Sequence, residues 1–161
     1  PYPMCRLPFV PGEHRFPDAA ASIGLTNLPS AQARNSGIAY GARPACCGNN
    51  NCIPVCPIGA KYDAATSLTR IESKGGKIQP NAVVYKIETG TDNKVQAVHY
   101  FDNNKQTHRV TGAVFVIACN GIETPKLLLM SADSRNPHGV ANSSAQVGRN
   151  MMDHPILLVE L

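Results

Sequence analysis

Four cysteines crowded into one short loop constrain this chain more than any other feature. They fall within eleven residues, at Cys46, Cys47, Cys52 and Cys56. Thiolates this close together converge on a soft metal or an iron–sulfur cluster, and a closing Cys-x3-Cys-Pro is typical of ferredoxin-type sequences. The glycine and asparagines of residues 48–51 tolerate the left-handed backbone that wrapping around a cluster needs. We therefore expect an iron–sulfur cluster in this loop.

The loop is also open to two other interpretations, structural zinc and a pair of disulfides in an exported protein. Zinc is disfavoured because the Cys-x2-Cys and His-x3–5-His spacings of zinc sites are absent. Disulfides are disfavoured because pairing within so short a loop strains the bonds, above all at the adjacent Cys46 and Cys47. Adjacent side chains of an extended chain point to opposite sides, so we do not expect these two cysteines to face one cluster equally well.

A cluster of three irons, 3Fe-4S, with three thiolate ligands is the natural result. We expect Cys46, Cys52 and Cys56 to be the ligands, with Cys47 as the fourth candidate or turned toward a neighbouring cofactor. Cys119 lies apart from the loop and ends an apolar stretch, so we expect it to be a small buried hydrophobe.

The fold is expected to be α/β with α+β character. Prolines recur through residues 1–45, so residues 1–59, including the cysteine loop, are expected to form an irregular layer. Good helix formers at 61–71, before Gly75 and Gly76, predict one helix of about three turns. Residues 60–131 are expected to form a helix, a β-meander and a strand-turn-helix unit. Residues 132–161 are expected to form a loop and the start of a further strand.

Three β-rich runs, at 83–88, 95–101 and 110–119, are separated by turn-forming clusters and predict a β-meander. Residues 113–118 are all apolar, which predicts a strand covered on both faces. After the strand, Thr124 is expected to cap a helix that has Pro125 at its first position. A strand, a glycine turn and a helix start form a common site for the phosphates of a nucleotide.

The charge and the length of the apolar stretches exclude two classes of partner. The net charge is +4, but the basic residues are scattered, so nucleic acid is not expected as a partner. No apolar stretch approaches the ~20 residues that span a bilayer. The sequence begins without a methionine and stops in an apolar run at 156–161, so we expect an internal segment of a longer protein.

Two ordered motifs resemble those of a known family. Residues 119–131, CNGIETPKLLLMS, resemble the second signature of the glucose-methanol-choline (GMC) flavin oxidoreductases, and residues 147–155, VGRNMMDHP, resemble the next characteristic segment of that family. Residues 41–61 are similar to the cluster-bearing loop of its bacterial membrane-associated members, which oxidise glucose, sorbitol, gluconate or fructose.

The resemblance implies that 1–161 is an internal segment of a GMC-type FAD-binding domain. It also implies which residues lie along FAD: a strand residue at the adenine, the strand end and helix start beside the cofactor, and a segment approaching the flavin. In that order they are Val84; Ala118, Cys119, Asn120, Gly121, Thr124 and Pro125; and Asn150, Asp153 and His154. The catalytic histidine would lie outside this segment, so no catalytic residue is expected here.

The function that the resemblance implies is oxidation of a CH–OH group of a sugar or polyol by FAD. Electrons would then pass through the iron–sulfur cluster to a cytochrome or quinone. A small subunit and a cytochrome c subunit would be partners in a complex on the periplasmic side of the bacterial inner membrane. The alternative is a non-catalytic iron–sulfur or metal-stabilised electron-transfer module, which would have no reason to contain the motifs at 119–131 and 147–155.

Overall fold

The computed structural model describes residues 4–7, 12, 14–26, 32–48 and 51–155. These form two compact units, residues 1–78 and residues 79–161. The described residues of the two units contain three helices and one three-stranded antiparallel sheet. The mixed α/β class is confirmed, and the strand expected at 156–161 lies outside the described residues. No helix among the described residues is long and apolar enough to cross a membrane.

The described part of the first unit contains two short helices, α1 (Arg15–Ser22) and α2 (Ala65–Ser73). The expectation that residues 1–45 are irregular is wrong at α1. The helix tolerates Pro17 because this residue lies in the first turn, where a backbone N–H has no partner within the helix. α2 begins at Ala65, later than the predicted residue 61. At this start the carboxylate of Asp63 accepts a hydrogen bond from the Ala65 N–H at 2.8 Å. It ends before Gly75, whose φ of +82° confirms the predicted glycine stop.

A pair of antiparallel segments, 33–35 and 60–62, organises the first unit. We call this pair the bridge. Arg34 and Lys61 face each other across it, and the N–H of Asn35 donates to the carbonyl of Ala60 at 3.1 Å. The side chain of Asn35 is 1% exposed, and its amide nitrogen lies within hydrogen-bond distance of three carbonyl oxygens, those of Tyr40, Arg43 and Pro44. A buried amide therefore holds the chain that leads into the cysteine loop.

The second unit is built on a meander of β1 (Val83–Thr89), β2 (Val95–Phe101) and β3 (Thr107–Thr111). The predicted first and second strands are confirmed to within one residue. Residue pairs such as Val84 with Tyr100 and Tyr100 with His108 set the register of the sheet. Tyr85 stacks on Phe101 with ring centroids 4.1 Å apart, which joins β1 to the end of β2.

The expected third strand over 110–119 differs from the structure, because β3 ends at Thr111 and residues 113–118 are not in the sheet. Val114 and Val116 are 81% and 83% exposed, whereas Phe115 and Ile117 are half-buried. The predicted burial on both faces is therefore wrong for the described chain. Apolar composition shows that a segment needs cover, but only a neighbouring element supplies it, and no described strand pairs with these residues.

The third helix, α3 (Asn120–Met130), packs against β1. Ile87, Leu127 and Val140 form the core cluster, and the buried Ser131 hydroxyl accepts from the Ile87 N–H at 2.8 Å while donating to the Leu127 carbonyl. Gly139 is needed where the following loop returns, since its φ is +99° and a Cβ there would lie 2.8 Å from the Leu128 carbonyl oxygen.

Candidate functional site

The three cysteines expected to be cluster ligands are all tied to the bridge. Cys46, Cys52 and Cys56 are half-buried, whereas Cys47 is exposed. The N–H of Cys46 donates to the carbonyl of Asn35 at 2.8 Å. The carbonyl of Cys52 accepts from Lys61 Nζ at 3.3 Å. The loop thus starts, continues and ends against the same short pair of segments.

Cys56 sits in a turn whose backbone N–H groups favour its thiolate. The N–H of Lys61, followed by those of Ile58, Ala60 and Gly59, lowers the pKa of the Cys56 thiol, while partial burial opposes the effect. Gly59 has a φ of +71°, which lets the chain turn tightly around the sulfur. The lowered pKa favours loss of the thiol proton, and the deprotonated thiol is the form that binds a metal or an iron–sulfur cluster.

Arg34 places a guanidinium against the second cysteine. Its Nη1 lies 3.1 Å from Cys52 Sγ, across eighteen residues of sequence. Its Nε is buried and has no hydrogen-bond acceptor among the described residues. One N–H of the side chain therefore donates to a cysteine sulfur, and the Nε–H has no acceptor among the described residues.

The thiols themselves are not gathered into one metal site. No three Cys, His, Asp or Glu side chains of the described ranges come together in a way that could hold a metal ion. All six cysteines are free thiols rather than disulfides. Asn49 and Asn50, which join Cys47 to the rest of the loop, lie outside the described residues. The three sulfurs thus share one backbone support without forming a closed site.

The second candidate site is a groove of about 580 Å³ between α3 and the segment that follows residue 147. Its walls come from both motifs of the sequence analysis: Gly121, Ile122, Pro125, Lys126, Leu129 and Met130 from the first, and Gly148, Arg149, Met151 and Met152 from the second. Gly148 allows the two walls to approach, because a Cβ at that position would lie 3.2 Å from Leu129 Cδ1. The structure thus brings together two segments that the sequence analysis singled out separately.

The start of α3 differs from the predicted one. The helix begins at Asn120, so Pro125 is inside it and Thr124 is not its cap; Thr124 Oγ1 instead accepts from the Cys119 N–H at 3.1 Å. Asn120 Oδ1 accepts from the N–H groups of Ile122 and Glu123 at 2.8 and 3.0 Å, so these donors are already satisfied. Cys119 is exposed, and the prediction that it is buried is wrong.

The remaining predicted cofactor residues lie on exposed backbone of the second unit. Ala118 and Gly121 are exposed, and a Cβ at Gly121 would meet no atom within 4 Å. This open space beside the groove fits a bound group that approaches the backbone closely, as a dinucleotide does. Asn150, whose φ is +57°, donates to Gln146, and Asp153 Oδ1 accepts from the N–H of His154. Val84 is on β1, opposite Tyr100.

Sequence reasoning missed the residues that support the cysteine loop, namely Arg34, Asn35 and Lys61. Lys61 was inside the quoted motif, but nothing in its spacing indicated a contact with Cys52. Arg34 and Asn35 lie in a polar stretch well before the loop, and their partners are apparent only after the chain has folded. The one available signal was a cation placed before a thiolate-rich loop, which is too common to single out a residue.

Comparison with known proteins agrees with the two motifs. Residues 14–156 match the family model described as GMC oxidoreductase. The chain is 54% identical to the fructose dehydrogenase large subunit of Gluconobacter japonicus, over 96% of this chain and 28% of that protein. It is 34% identical to the 6'''-hydroxyparomomycin C oxidase of Streptomyces lividus, over 83% of this chain and 25% of that protein. The chain thus spans about a quarter of the length of these relatives.

Proposed function

Because the chain belongs to the GMC family of FAD-dependent oxidoreductases, we propose that the full-length protein is a dehydrogenase that oxidises a CH–OH group of a sugar or polyol. Electrons leave FAD through an iron–sulfur cluster to a cytochrome or quinone. The observation that carries this proposal is the set of three half-buried cysteines tied to one bridge, because a flavin enzyme that uses oxygen directly has no need of them.

FAD would be held by the second unit and would supply hydride acceptance when bound. The residues proposed to contact it are Val84, Ala118, Cys119, Asn120, Gly121, Thr124, Pro125, Asn150, Asp153 and His154. Support comes from the open backbone at Gly121 and from the groove that joins the two motifs. Since the donors of Ile122 and Glu123 are taken by Asn120, this helix start would shape the site rather than bind a phosphate.

Cys46, Cys52 and Cys56 would hold the cluster, with Cys47 as the fourth candidate, and the cluster would supply a one-electron relay when bound. The chemistry of these donors fits: three thiols with shared support, one of which has its pKa lowered by backbone N–H groups. Residues 1–161 would be an internal segment of the FAD-binding domain. It would consist of the three stretches that the sequence predicts, 1–59, 60–131 and 132–161.

The relative named as a fructose dehydrogenase large subunit supports a multi-subunit assembly. We propose a small subunit and a cytochrome c subunit as partners, on the periplasmic side of a bacterial inner membrane. The competing function, an electron-transfer module without catalysis, is disfavoured by the groove, since such a module has no use for a flavin site.

The test is an iron and acid-labile sulfide assay, with a low-temperature paramagnetic resonance spectrum, on the anaerobically purified full-length protein. We expect iron and sulfide in a ratio of about 3:4 and a signal from the oxidised cluster. Cys52→Ser should remove the signal while flavin is retained. Cys5→Ser, a thiol outside the loop, should leave both unchanged.

Cys47→Ser distinguishes a cluster with three thiolate ligands from a cluster that also uses Cys47, because only the three-thiolate cluster keeps its paramagnetic resonance signal in that variant. Zinc in place of iron, or metal-free protein with paired cysteines, would refute the electron relay. Flavin reduction by sugar with wild-type transfer to the acceptor in Cys52→Ser would refute it as well.

A further inference from the structure

We propose that Asn142 is a positioning residue for FAD, because its side chain holds the second wall of the groove at the distance from α3 at which the cofactor binds. The second wall is the part of the groove that follows residue 147: Gly148, Arg149, Met151 and Met152. This inference rests on the FAD site of the proposed function. It goes beyond that site, since Asn142 lies between the two motifs and is not among the residues proposed to contact FAD.

The side chain of Asn142 joins two separate backbone segments. Its Nδ2 donates to the carbonyl of His138 at 2.7 Å, and its Oδ1 accepts from the N–H of Val147 at 3.0 Å. Only this orientation of the amide satisfies both partners, since a carbonyl accepts and an N–H donates. Val147 directly precedes Gly148, so the amide holds the start of the second wall.

The other segment that Asn142 contacts, residues 138–140, is itself anchored on α3. The N–H of Val140 donates to the carbonyl of Leu128 at 2.9 Å, and the Val140 side chain is buried in the core cluster. Gly139 lies so close to the helix that a Cβ there would be 2.8 Å from the Leu128 carbonyl oxygen. Asn142 therefore connects the second wall to a stretch that the packed helix holds in place.

The same helix also approaches the second wall directly. A Cβ at Gly148 would lie 3.2 Å from Leu129 Cδ1 and 4.0 Å from Pro125 Cβ, so the two walls are close together at this residue. The hydrogen bond to Asn142 acts at the neighbouring residue, Val147. A packing contact and a hydrogen bond at adjacent residues together fix the width of the groove.

The backbone of the loop around Asn142 is strained. Ala141 and Ala145 have φ values of +58° and +56°, in the left-handed region that disfavours residues with a Cβ. Residues in this region persist where the surrounding contacts hold them, and they are frequent at ligand sites. The Asn142 side chain provides such contacts at both ends of the loop. Loss of the amide should therefore let the loop relax and the second wall move.

The consequence concerns the affinity for FAD. When a cofactor binds only one position of the wall, its apparent affinity falls in proportion to the fraction of molecules whose wall is in that position. Hydrogen bonds that hold the wall there before binding remove this loss. Without the Asn142 amide, a smaller fraction of the protein should be ready to bind, and the bound cofactor should leave faster.

The experiment measures FAD release from the full-length holoprotein after dilution into flavin-free buffer, by flavin fluorescence, together with the visible circular dichroism of the bound flavin. In Asn142→Ala we expect release to be about tenfold faster, from the loss of two hydrogen bonds, and the dichroism to change. Asn142→Asp keeps an acceptor for the Val147 N–H but loses the donor to His138. Its release rate should lie between those of wild type and Asn142→Ala, and its dichroism should be closer to that of wild type.

Asn136→Ala is the matched control. The side chain of Asn136 also makes two hydrogen bonds, to Thr89 Oγ1 at 3.0 Å and to Asp133 Oδ1 at 3.2 Å, but neither partner lines the groove. We expect a release rate much closer to that of wild type than in Asn142→Ala. Equal release from the two variants would mean that the general stability of this region acts, and would overturn the positioning role.

The remaining outcomes separate this inference from the proposed function. A wild-type protein without FAD overturns both. FAD that leaves wild type and Asn142→Ala at the same rate, with the same dichroism, overturns only the role of Asn142. If Asn142→Ala alone fails to fold, release from Asn142→Asp at the wild-type rate overturns that role. Loss of folding in both variants would make Asn142 a structural support of the second unit, and would likewise overturn its positioning role.

Discussion

Different interactions stabilise the interior of each of the two compact units. In the second unit, apolar side chains at Ile87, Leu127 and Val140 pack between the sheet and α3. In the described part of the first unit, Ala60 is the one fully buried hydrophobic residue, and the buried polar Asn35 and Ser36 lie near it. One unit is thus stabilised by packing, the other by a polar network around a cysteine loop. The difference indicates that the described part of the first unit depends more on directed hydrogen bonds than on apolar packing.

The largest expected effect tests the polar network. Asn35→Asp replaces an amide donor by a carboxylate that faces the carbonyl oxygens of Tyr40, Arg43 and Pro44. A buried charge without a partner should destabilise this unit by about 4 kcal/mol. Hydrogen exchange of residues 33–62 in the full-length protein measures the loss. Asn51→Asp, the same change at an exposed position, is the control; equal protection in the two variants would contradict the central role of Asn35.

The next effect tests the packed core. Leu127 is 5% exposed, and truncation to alanine removes buried methyl groups and leaves a cavity, which should cost about 3 kcal/mol. Leu129 is two residues away in α3 but 41% exposed, so Leu129→Ala should cost about 1 kcal/mol or less. Hydrogen exchange of β1 and α3 amides compares the two variants. Similar losses would mean that this cluster does not carry the stability of the second unit.

The smallest effect tests an ionic group on the sheet of the second unit. Glu88 accepts two hydrogen bonds from Arg109, each at 2.8 Å, and its Oε2 lies 2.7 Å from His99 Nε2. The Arg109 hydrogen bonds, and then that of His99, lower the pKa of Glu88 to about 2 from its ordinary 4.5. The folded protein therefore keeps this charge at a pH where the unfolded chain binds a proton.

The sign of the pH dependence follows from this difference. The stabilisation is complete above pH about 4.5 and is lost as the pH falls through about 2. Glu88→Gln should flatten this part of the profile, measured by denaturant unfolding at a series of pH values. Glu72→Gln, at an exposed position of α2, controls for removal of a charge. An unchanged slope in Glu88→Gln would show that the network contributes nothing to stability.

In both units, the sequence predicts features that depend on local residues and misses those that depend on contacts between distant segments. β1 and β2 were predicted because their β-branched residues and flanking turns act locally. The ligand candidates were also local, since their spacing alone identifies the loop. Arg34 was missed because its contact with Cys52 spans eighteen residues and depends on how the bridge folds.

Two further predictions failed where the outcome depends on neighbouring structure. The expected strand at 113–118 required partners that no described element supplies. The start of α3 was placed too late. Thr124 and Pro125 fit a helix start locally, but the helix begins at Asn120, whose side-chain oxygen accepts from two N–H groups of the first turn. Local propensity thus identified the helix, whereas the hydrogen bonds of one asparagine set its first residue.

The segment at 113–118 has a consequence for handling the protein. Val114 and Val116 are exposed to solvent, their neighbours are β-branched or aromatic, and the segment carries no charge. Such a stretch is a template for pairing with strands of other molecules, and so for aggregation during synthesis or purification. A single lysine at Val114, on the exposed side, would act as a gatekeeper and favour soluble expression.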